Sequence, residues 1–383
     1  MRPCAAFGLL WSVRREGDVV YSLRMDQKQE SIQTSRHGVK RNRKPIRRGL
    51  RRPFEWLGIF LGMLVFTNLT HRMLFALCDF LGATMFLFDR RGRALALANL
   101  RIVLGSASGA GYAGKVYGAP HVAPPTRREK LILKRSYRNM ARTIGHVFWT
   151  SRNAMKRASS VAVFSPKCLE VLAEHKPLVT VSAHLGCWEV LSQLVHLQGR
   201  RMISVAKDIG TPAMTELLMK SRKSIGQEIV HADGAFRPLY EGLKGGADVG
   251  LLVDQVVKPQ NGGVWVRYFG RPVPVSAAPA FLQAKTHAPI VVAWSRPLRD
   301  GRYRCEFVAE YPWTKGVDIW GRTQDCISAI ERTIRRHPSC WVMNYRYFRK
   351  KPTEKDLAQL AAREQRRKDR VIAMPAAPKH RGN

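Results

Sequence analysis

Residues 178–189 read LVTVSAHLGCWE, and this stretch decides the class of the fold. Leu178–Val181 is an apolar, β-branched run of the kind that forms a buried strand. It passes through the small residues Ser182 and Ala183 into His184, Leu185 and Gly186, and a helical pattern opens at Trp188. Further apolar runs lie at Met202–Val205, Val249–Val253, Ile290–Trp294 and Cys305–Val308. Helical stretches fall between several of them, at Trp188–Leu197, Thr211–Ile225 and Ala235–Lys244. This alternation predicts an α/β fold with a mixed sheet flanked by helices. A histidine at the carboxyl end of a strand in such a sheet stands where open α/β folds place their ligands. The helix that follows presents unpaired N–H groups and a partial positive charge, suited to a developing oxyanion around Gly186.

His184 and Glu189 are five residues apart. Side chains meet on a helix at spacings of three or four, so these two can meet only if the turn at Leu185–Gly186 bends the chain back, as glycine permits. A carboxylate beside the imidazole would fix its tautomer and stabilise the imidazolium. The plain alternative is a histidine satisfied by backbone and a solvated glutamate, and spacing alone leaves both open. Cys187 lies inside the motif, but adjacent side chains diverge, which argues against a cysteine–histidine couple. Trp188 and Trp341 read as core or membrane-edge aromatics. His196, His231 and His287 have no partner at metal-ligand spacing and read as structural. Gly245–Gly246 and Gly262–Gly263 are turns without a P-loop pattern.

The chain has 383 residues, with 65 Lys and Arg against 28 Asp and Glu, a net charge of +37. At 45% hydrophobic and 24% charged it is a globular composition, which excludes wholesale disorder and collagen-like structure. The basic surplus implies an anionic partner: nucleic acid, an acidic membrane surface, a phosphorylated substrate or an acidic carrier protein. Residues 1–52 hold 14 Lys and Arg against 4 Asp and Glu and read as a solvated, disordered leader. The opening apolar residues lack a small-x-small cleavage site, so no secretion signal is read, and Met25 is an alternative start. The seven cysteines (Cys4, Cys78, Cys168, Cys187, Cys305, Cys326 and Cys340) are scattered, without zinc-type spacing, and read as reduced thiols.

From Trp56 the composition turns apolar: residues 56–67 read WLGIFLGMLVFT, and residues 73–88 read MLFALCDFLGATMFLF with Asp79 as the interruption. Each run is shorter than the roughly 20 residues a membrane crossing needs. Basic clusters flank both ends, Arg51–Arg52 and Arg90, Arg91 and Arg93. An interfacial anchor or short re-entrant hairpin on anionic head groups fits best, with a buried core helix pair or a tilted single span as the alternatives. Residues 94–104 and 128–150 carry apolar residues at helical spacing with basic residues opposite, and Gly105–Thr126 is a loop. The division predicted is a leader (1–52), an anchoring segment (53–90), a catalytic domain (91–350) and a basic, Ala/Pro-rich tail (351–383), with an isolated helix near Lys355–Lys368.

The stretch at His184 resembles the HxxxxD/E motif of glycerolipid-type acyltransferases, and more closely the late acyltransferases of lipid A biosynthesis, whose block reads approximately H-[FL]-G-x-W-E. Further blocks match in order: ALALANLR at 94–101 resembles the family's helix after its membrane segment, GLLVDQ at 250–255 its GLLxDQ strand end, and GGVWVRYFGRP at 262–272 its GGVxVxFFGRP loop, with APIVV at 288–292 as the next strand. The resemblance spans roughly residues 54–350. It implies a glycerolipid-acyltransferase-like fold, membrane-associated N-terminal helices, His184 as catalytic base, Glu189 as its partner and Asp254 as a second acid near the same pocket. It also implies substrate contacts from Lys207, Gly186, Gln255 and Arg271. Three positions depart from the pattern: Lys207 stands where relatives usually carry Arg, Asn344 where they often have His, and Arg267 where Pro is commoner.

The function so implied is transfer of a fatty acyl chain from an acyl carrier protein thioester to a hydroxyl of a lipid A precursor, a late acylation. It belongs on the cytoplasmic side of the bacterial inner membrane and needs no metal or redox cofactor. The runner-up is a coenzyme A-dependent acyltransferase acting on another anionic glycolipid, such as a phosphatidylinositol mannoside. A nucleic-acid-binding protein is the distant alternative, since the charge sits largely in tails and around apolar helices with no recognised nucleic-acid motif. A catalytically dead membrane scaffold is the remaining one.

Overall fold

The computed structural model describes residues 46–105, 123–175, 177–207, 212–224 and 226–373. Most of the basic leader, nearly all of the loop at 105–126 and the last ten residues lie outside the described residues. By its contacts the chain divides into Met1–Leu61 and Gly62–Asn383. Helix α1 (Ile46–Asn68) begins within the basic run and crosses that division.

In the larger unit, α2 (His71–Phe88), α3 (Arg90–Val103) and α4 (Arg127–Thr150) precede α5 (Ala154–Val161), β1 (Ala162–Phe164) and α6 (Pro166–Glu174). The βα alternation follows: β2 (Val179–Ser182), α7 (Trp188–Leu197), β3 (Met202–Ala206), α8 (Pro212–Lys223), β4 (Glu228–His231), α9 (Phe236–Lys244) and β5 (Asp248–Leu252). A hairpin, β6 (Gly263–Tyr268) and β7 (Arg271–Ser276), leads to α10 (Ala278–Thr286), β8 (Ile290–Pro297), β9 (Tyr303–Tyr311), α11 (Ile319–Arg336) and α12 (Glu354–Ala373). Seven strands form one sheet in the order β1-β9-β8-β2-β5-β3-β4, parallel except where β8 meets β9. The sheet is mixed and flanked by helices, as the alternation predicted.

Side chains alternate across the sheet, as strand geometry requires. Ile290, Val292 and Trp294 of β8 enter one apolar cluster with residues of α9, α10 and α11, and Val291 and Ala293 enter another with residues of α2, α6 and α7. Both faces of the sheet are therefore covered, which explains why its strands read as continuous apolar runs.

Helix α2 has one face against the protein and apolar side chains outward. One stripe, Leu74, Cys78, Gly82 and Phe86, is buried. A Cβ on Gly82 would come within 2.7 Å of the Arg138 Cα, so close approach to α4 requires glycine there. Asp79, the lone acid in the apolar run, is bound through both oxygens by Arg142 at 2.7 Å. Opposite that stripe Met73, Phe80 and Leu87 are exposed, and Leu81, Met85 and Phe88 are exposed elsewhere on the helix. A fully buried pair does not describe this helix, whereas its outward apolar side chains are compatible with membrane association. By length and composition α2 can cross a membrane.

The C-terminal helix α12 is not isolated. Leu360 is buried in the main core, Arg267 of β6 pairs with Glu364 at 2.9 Å, and Arg367 reaches Asp325 of α11.

Candidate active site

The register of β2 against β5 brings the first two functional residues together. Ser182 lies opposite Leu252, the last residues of parallel neighbours. His184 and Asp254 each lie two residues further on, so they leave the sheet side by side. The His184 ring Nδ1 is 2.8 Å from Asp254 Oδ1, and the His184 backbone N–H donates to Asp254 Oδ2 at 3.1 Å. A third donor, the indole N–H of Trp341, reaches Asp254 Oδ2 at 3.0 Å. The carboxylate is fully buried while the imidazole side chain is 22% exposed. Burial, the largest single influence, favours the neutral acid. The neighbouring imidazole and the three hydrogen bonds together outweigh it and hold the Asp254 carboxyl below its usual range. An anionic Asp254 accepts the Nδ1 proton and leaves the Nε2 lone pair facing outward, the tautomer a general base requires.

Glu189 does not occupy that place. Its carboxylate is bound by the Arg222 guanidinium of α8, at 2.6 Å and 3.0 Å, and accepts from the Trp188 indole at 3.1 Å. The turn at Gly186 does bend the chain, but the acid it brings to the imidazole comes from β5. Glu189 instead ties α7 to α8.

The amides around Gly186 are also engaged elsewhere. Leu185 N–H donates to the Ala183 carbonyl at 2.7 Å, Gly186 N–H to Cys340 at 2.8 Å and Cys187 N–H to Ser295 at 3.1 Å. None of the three is available to an oxyanion. The requirement for glycine is steric: Gly186 has φ +65, and a Cβ there would lie 1.9 Å from the Ser295 carbonyl oxygen.

A third strand-like segment, residues 340–342, closes the site. Val342 N–H donates to the His184 carbonyl at 3.0 Å, and Trp341 stacks on Tyr347 with centroids 4.2 Å apart. Two polar groups from the N-terminal helices hold this segment. Asn99 Nδ2 donates to the Met343 and Tyr345 carbonyls at 2.6 Å and 2.7 Å, and Ser136 to the Trp341 carbonyl at 2.7 Å. Trp341 is thus a core aromatic, as its sequence suggested, whose N–H also fixes Asp254.

The remaining residues fall at varying distances from this centre. Gln255 follows Asp254, and its Nε2 is 3.3 Å from His184 Nε2. Lys207 is exposed, one residue beyond the end of β3, on the same carboxyl edge of the sheet. Arg271 opens β7 opposite Tyr268, whose ring lies 6.2 Å from Trp341. Arg267 faces Glu364 rather than a substrate, and its backbone N–H donates to Gln324 at 2.8 Å, a bond that proline would forfeit. Asn344 sits between the two carbonyls that Asn99 holds. Cys187 is buried, and that burial pushes its thiol up to about 12, which removes it as a nucleophile at neutral pH.

This arrangement can abstract a proton from a hydroxyl at the Nε2 lone pair while a buried carboxylate stabilises the imidazolium formed. Comparison of the chain with curated proteins gives no match. A family model of bacterial lipid A biosynthesis acyltransferases matches residues 120–350, a span that contains His184, Asp254, Gln255 and Trp341. On that match, which covers more than half of its length, the chain belongs to the bacterial lipid A biosynthesis acyltransferases.

Proposed function

We propose that this acyltransferase moves a fatty acyl chain from an acyl carrier protein thioester to a hydroxyl of an already acylated lipid A precursor, a late step of the pathway. The observation that carries the chemistry is the 2.8 Å contact between His184 Nδ1 and the buried Asp254 carboxylate, which leaves the Nε2 lone pair at the carboxyl edge of the sheet to act as base. His184 takes the proton of the acceptor hydroxyl as its oxygen attacks the thioester carbonyl. The new C–O bond forms, the C–S bond breaks, and the imidazolium returns the proton to the leaving thiolate. Glu189 acts in this scheme as a positioning residue through Arg222. Lys207 and Arg271 are proposed to meet the phosphates of the acceptor.

The net charge of +37 supports an acidic carrier and a phosphorylated acceptor together. Membrane association on the cytoplasmic side of the inner membrane is proposed from the outward apolar face of α2 and the arginines at 90, 91 and 93 that follow it. The catalytic domain is proposed to comprise residues 91–350, with α12 packed against it.

The test is an acyl-transfer assay with detergent-purified protein, mixed-length acyl carrier protein thioesters, a tetra-acylated lipid A precursor and mass-spectrometric readout, with His184→Ala in parallel. A single acyl increment that the mutant loses is the expected result. Transfer from coenzyme A to a phosphatidylinositol mannoside alone would move the assignment to that donor and acceptor. No increment with either donor would overturn the proposal.

A further inference from the structure

A thioester carbonyl attacked at this site develops a negative oxygen, and the three amides of the turn at Gly186 are spent. Those of Leu185, Gly186 and Cys187 each donate to a carbonyl of the protein at 3.1 Å or less. Among the described residues, the side chains that hydrogen-bond the His184 ring are Asp254 at Nδ1 and Gln255 at Nε2. Because Asp254 fixes the proton on Nδ1, the 3.3 Å contact at Nε2 is a donation from the Gln255 carboxamide to the lone pair that serves as base.

We propose that Gln255 is the oxyanion donor of the acyl transfer, its N–H parked on the base in the resting enzyme and released to the carbonyl oxygen when the acceptor hydroxyl takes its place. Geometry carries the inference. An acceptor hydroxyl bound to Nε2 sits about 2.8 Å from it, and the carbonyl carbon it attacks bonds directly to that oxygen. The oxyanion then falls within roughly 3 Å of a donor that already lies against Nε2, the range an oxyanion hole requires.

The residue is placed for this role at both ends. Its backbone follows Asp254, which three hydrogen bonds pin in place. Among the described residues its half-buried amide makes no other hydrogen bond, so it can change partner without breaking one of those contacts. The bond changes are those of acyl transfer: the acceptor proton passes to Nε2, the C–O bond forms, and collapse of the tetrahedral oxyanion expels the thiolate. Gln255 supplies a hydrogen bond throughout and exchanges no proton.

The inference rests on the acyl-transfer reading and is tested on the full-length protein in the same assay. Gln255→Ala and the near-isosteric Gln255→Glu are expected to lower kcat by about 10²-fold or more, the loss typical of one oxyanion donor, with KM for the donor within about threefold. The glutamate is expected to be the slower of the two, because its charge repels the oxyanion. A carrier thioether analogue, which has no carbonyl, should bind wild type and both variants alike, and the pH–rate profile should keep its shape. An alanine variant as fast as wild type, or faster because the base is unmasked, would overturn the inference alone. A fall in rate with a displaced acid limb would assign Gln255 to orienting His184 instead. A wild-type enzyme that moves no acyl chain from either donor would overturn the underlying reading and this inference with it.

Discussion

Replacing Asp254 by Asn separates the two candidate partners of His184. Asp254 presents Oδ2 to two donors, the His184 backbone N–H and the Trp341 indole, and Oδ1 to one, the imidazole Nδ1. An asparagine has a single oxygen, and the better-satisfied arrangement points it at the pair of donors. Its NH₂ then faces Nδ1, which must accept, and the imidazole proton moves to Nε2. The base is lost in the very place where the acceptor hydroxyl needs it. The charge is lost as well. With a 2.8 Å N···O contact the charge centres are about 4 Å apart, and at an effective dielectric near 20 the carboxylate stabilises the imidazolium by about 4 kcal/mol. That is about 10³ in rate from charge alone, and roughly 10⁴ when the wrong tautomer is included. Glu189→Gln should cost less than tenfold in kcat, since its carboxylate meets Arg222. Kinetics of both variants in the carrier-thioester assay, with thermal melts to confirm folding, make the comparison. An Asp254→Asn enzyme that keeps more than a tenth of wild-type kcat, beside a folded Glu189→Gln enzyme that loses 10³, would refute the reasoning.

Gly186→Ala should prevent stable folding or lower the melting temperature by well over 10 °C, because the 1.9 Å approach of a Cβ to the Ser295 carbonyl is added to a φ of +65. Asp248→Ala, far from His184 at the opposite end of the sheet, leaves Arg200 buried without its 2.6 Å partner and frees the Leu178 amide. It should destabilise by about 3–5 kcal/mol in urea titrations while the surviving folded enzyme keeps its kcat. His146, fully buried with Nε2 on Gln193 at 3.2 Å, has its pKa lowered by burial to about 4. The folded state therefore binds fewer protons than the unfolded chain, and stability present above pH 6.5 is lost as pH falls toward about 4, by about 3 kcal/mol. Urea midpoints at pH 7 and pH 4.5 should show this slope in wild type and a flatter one in His146→Asn.

Residues 178–189 gave away the βα unit because burial on both faces makes a strand apolar throughout, and the small residues after it leave the turn nowhere to hide. The central strands were legible for the same reason. The β6–β7 hairpin read as a loop through the family block it resembles; β7 tolerates Pro272 and Pro274 since β6 is its only sheet neighbour among the described residues. Edge strand β4 is too short to show a period, and α12 looked isolated because its partners, Arg267 and Asp325, come from other elements. In the site, His184 and the strand end at Asp254 were visible, and their pairing was not. Proximity along the chain favoured Glu189, whereas the register of β2 on β5 decides the matter across 70 residues. Two apolar strands that each end two residues before a polar side chain are the signal that could have found it. Trp341 and Arg222 carry no such mark, because an aromatic or a cation reveals its partner only after packing.

The clamp made by Asn99, Ser136 and the 340–347 segment has a consequence for how the protein is made. Asn99 meets residues 343 and 345 across more than 240 positions, and the indole that steadies Asp254 arrives on that same late stretch. During synthesis the apolar helices and the whole βα sheet leave the ribosome before the piece that fastens the dyad. A nascent or truncated chain ending before Trp341 therefore carries every residue of the histidine–aspartate pair and still lacks the frame that orients it. Competence for chemistry comes only once that late stretch has docked.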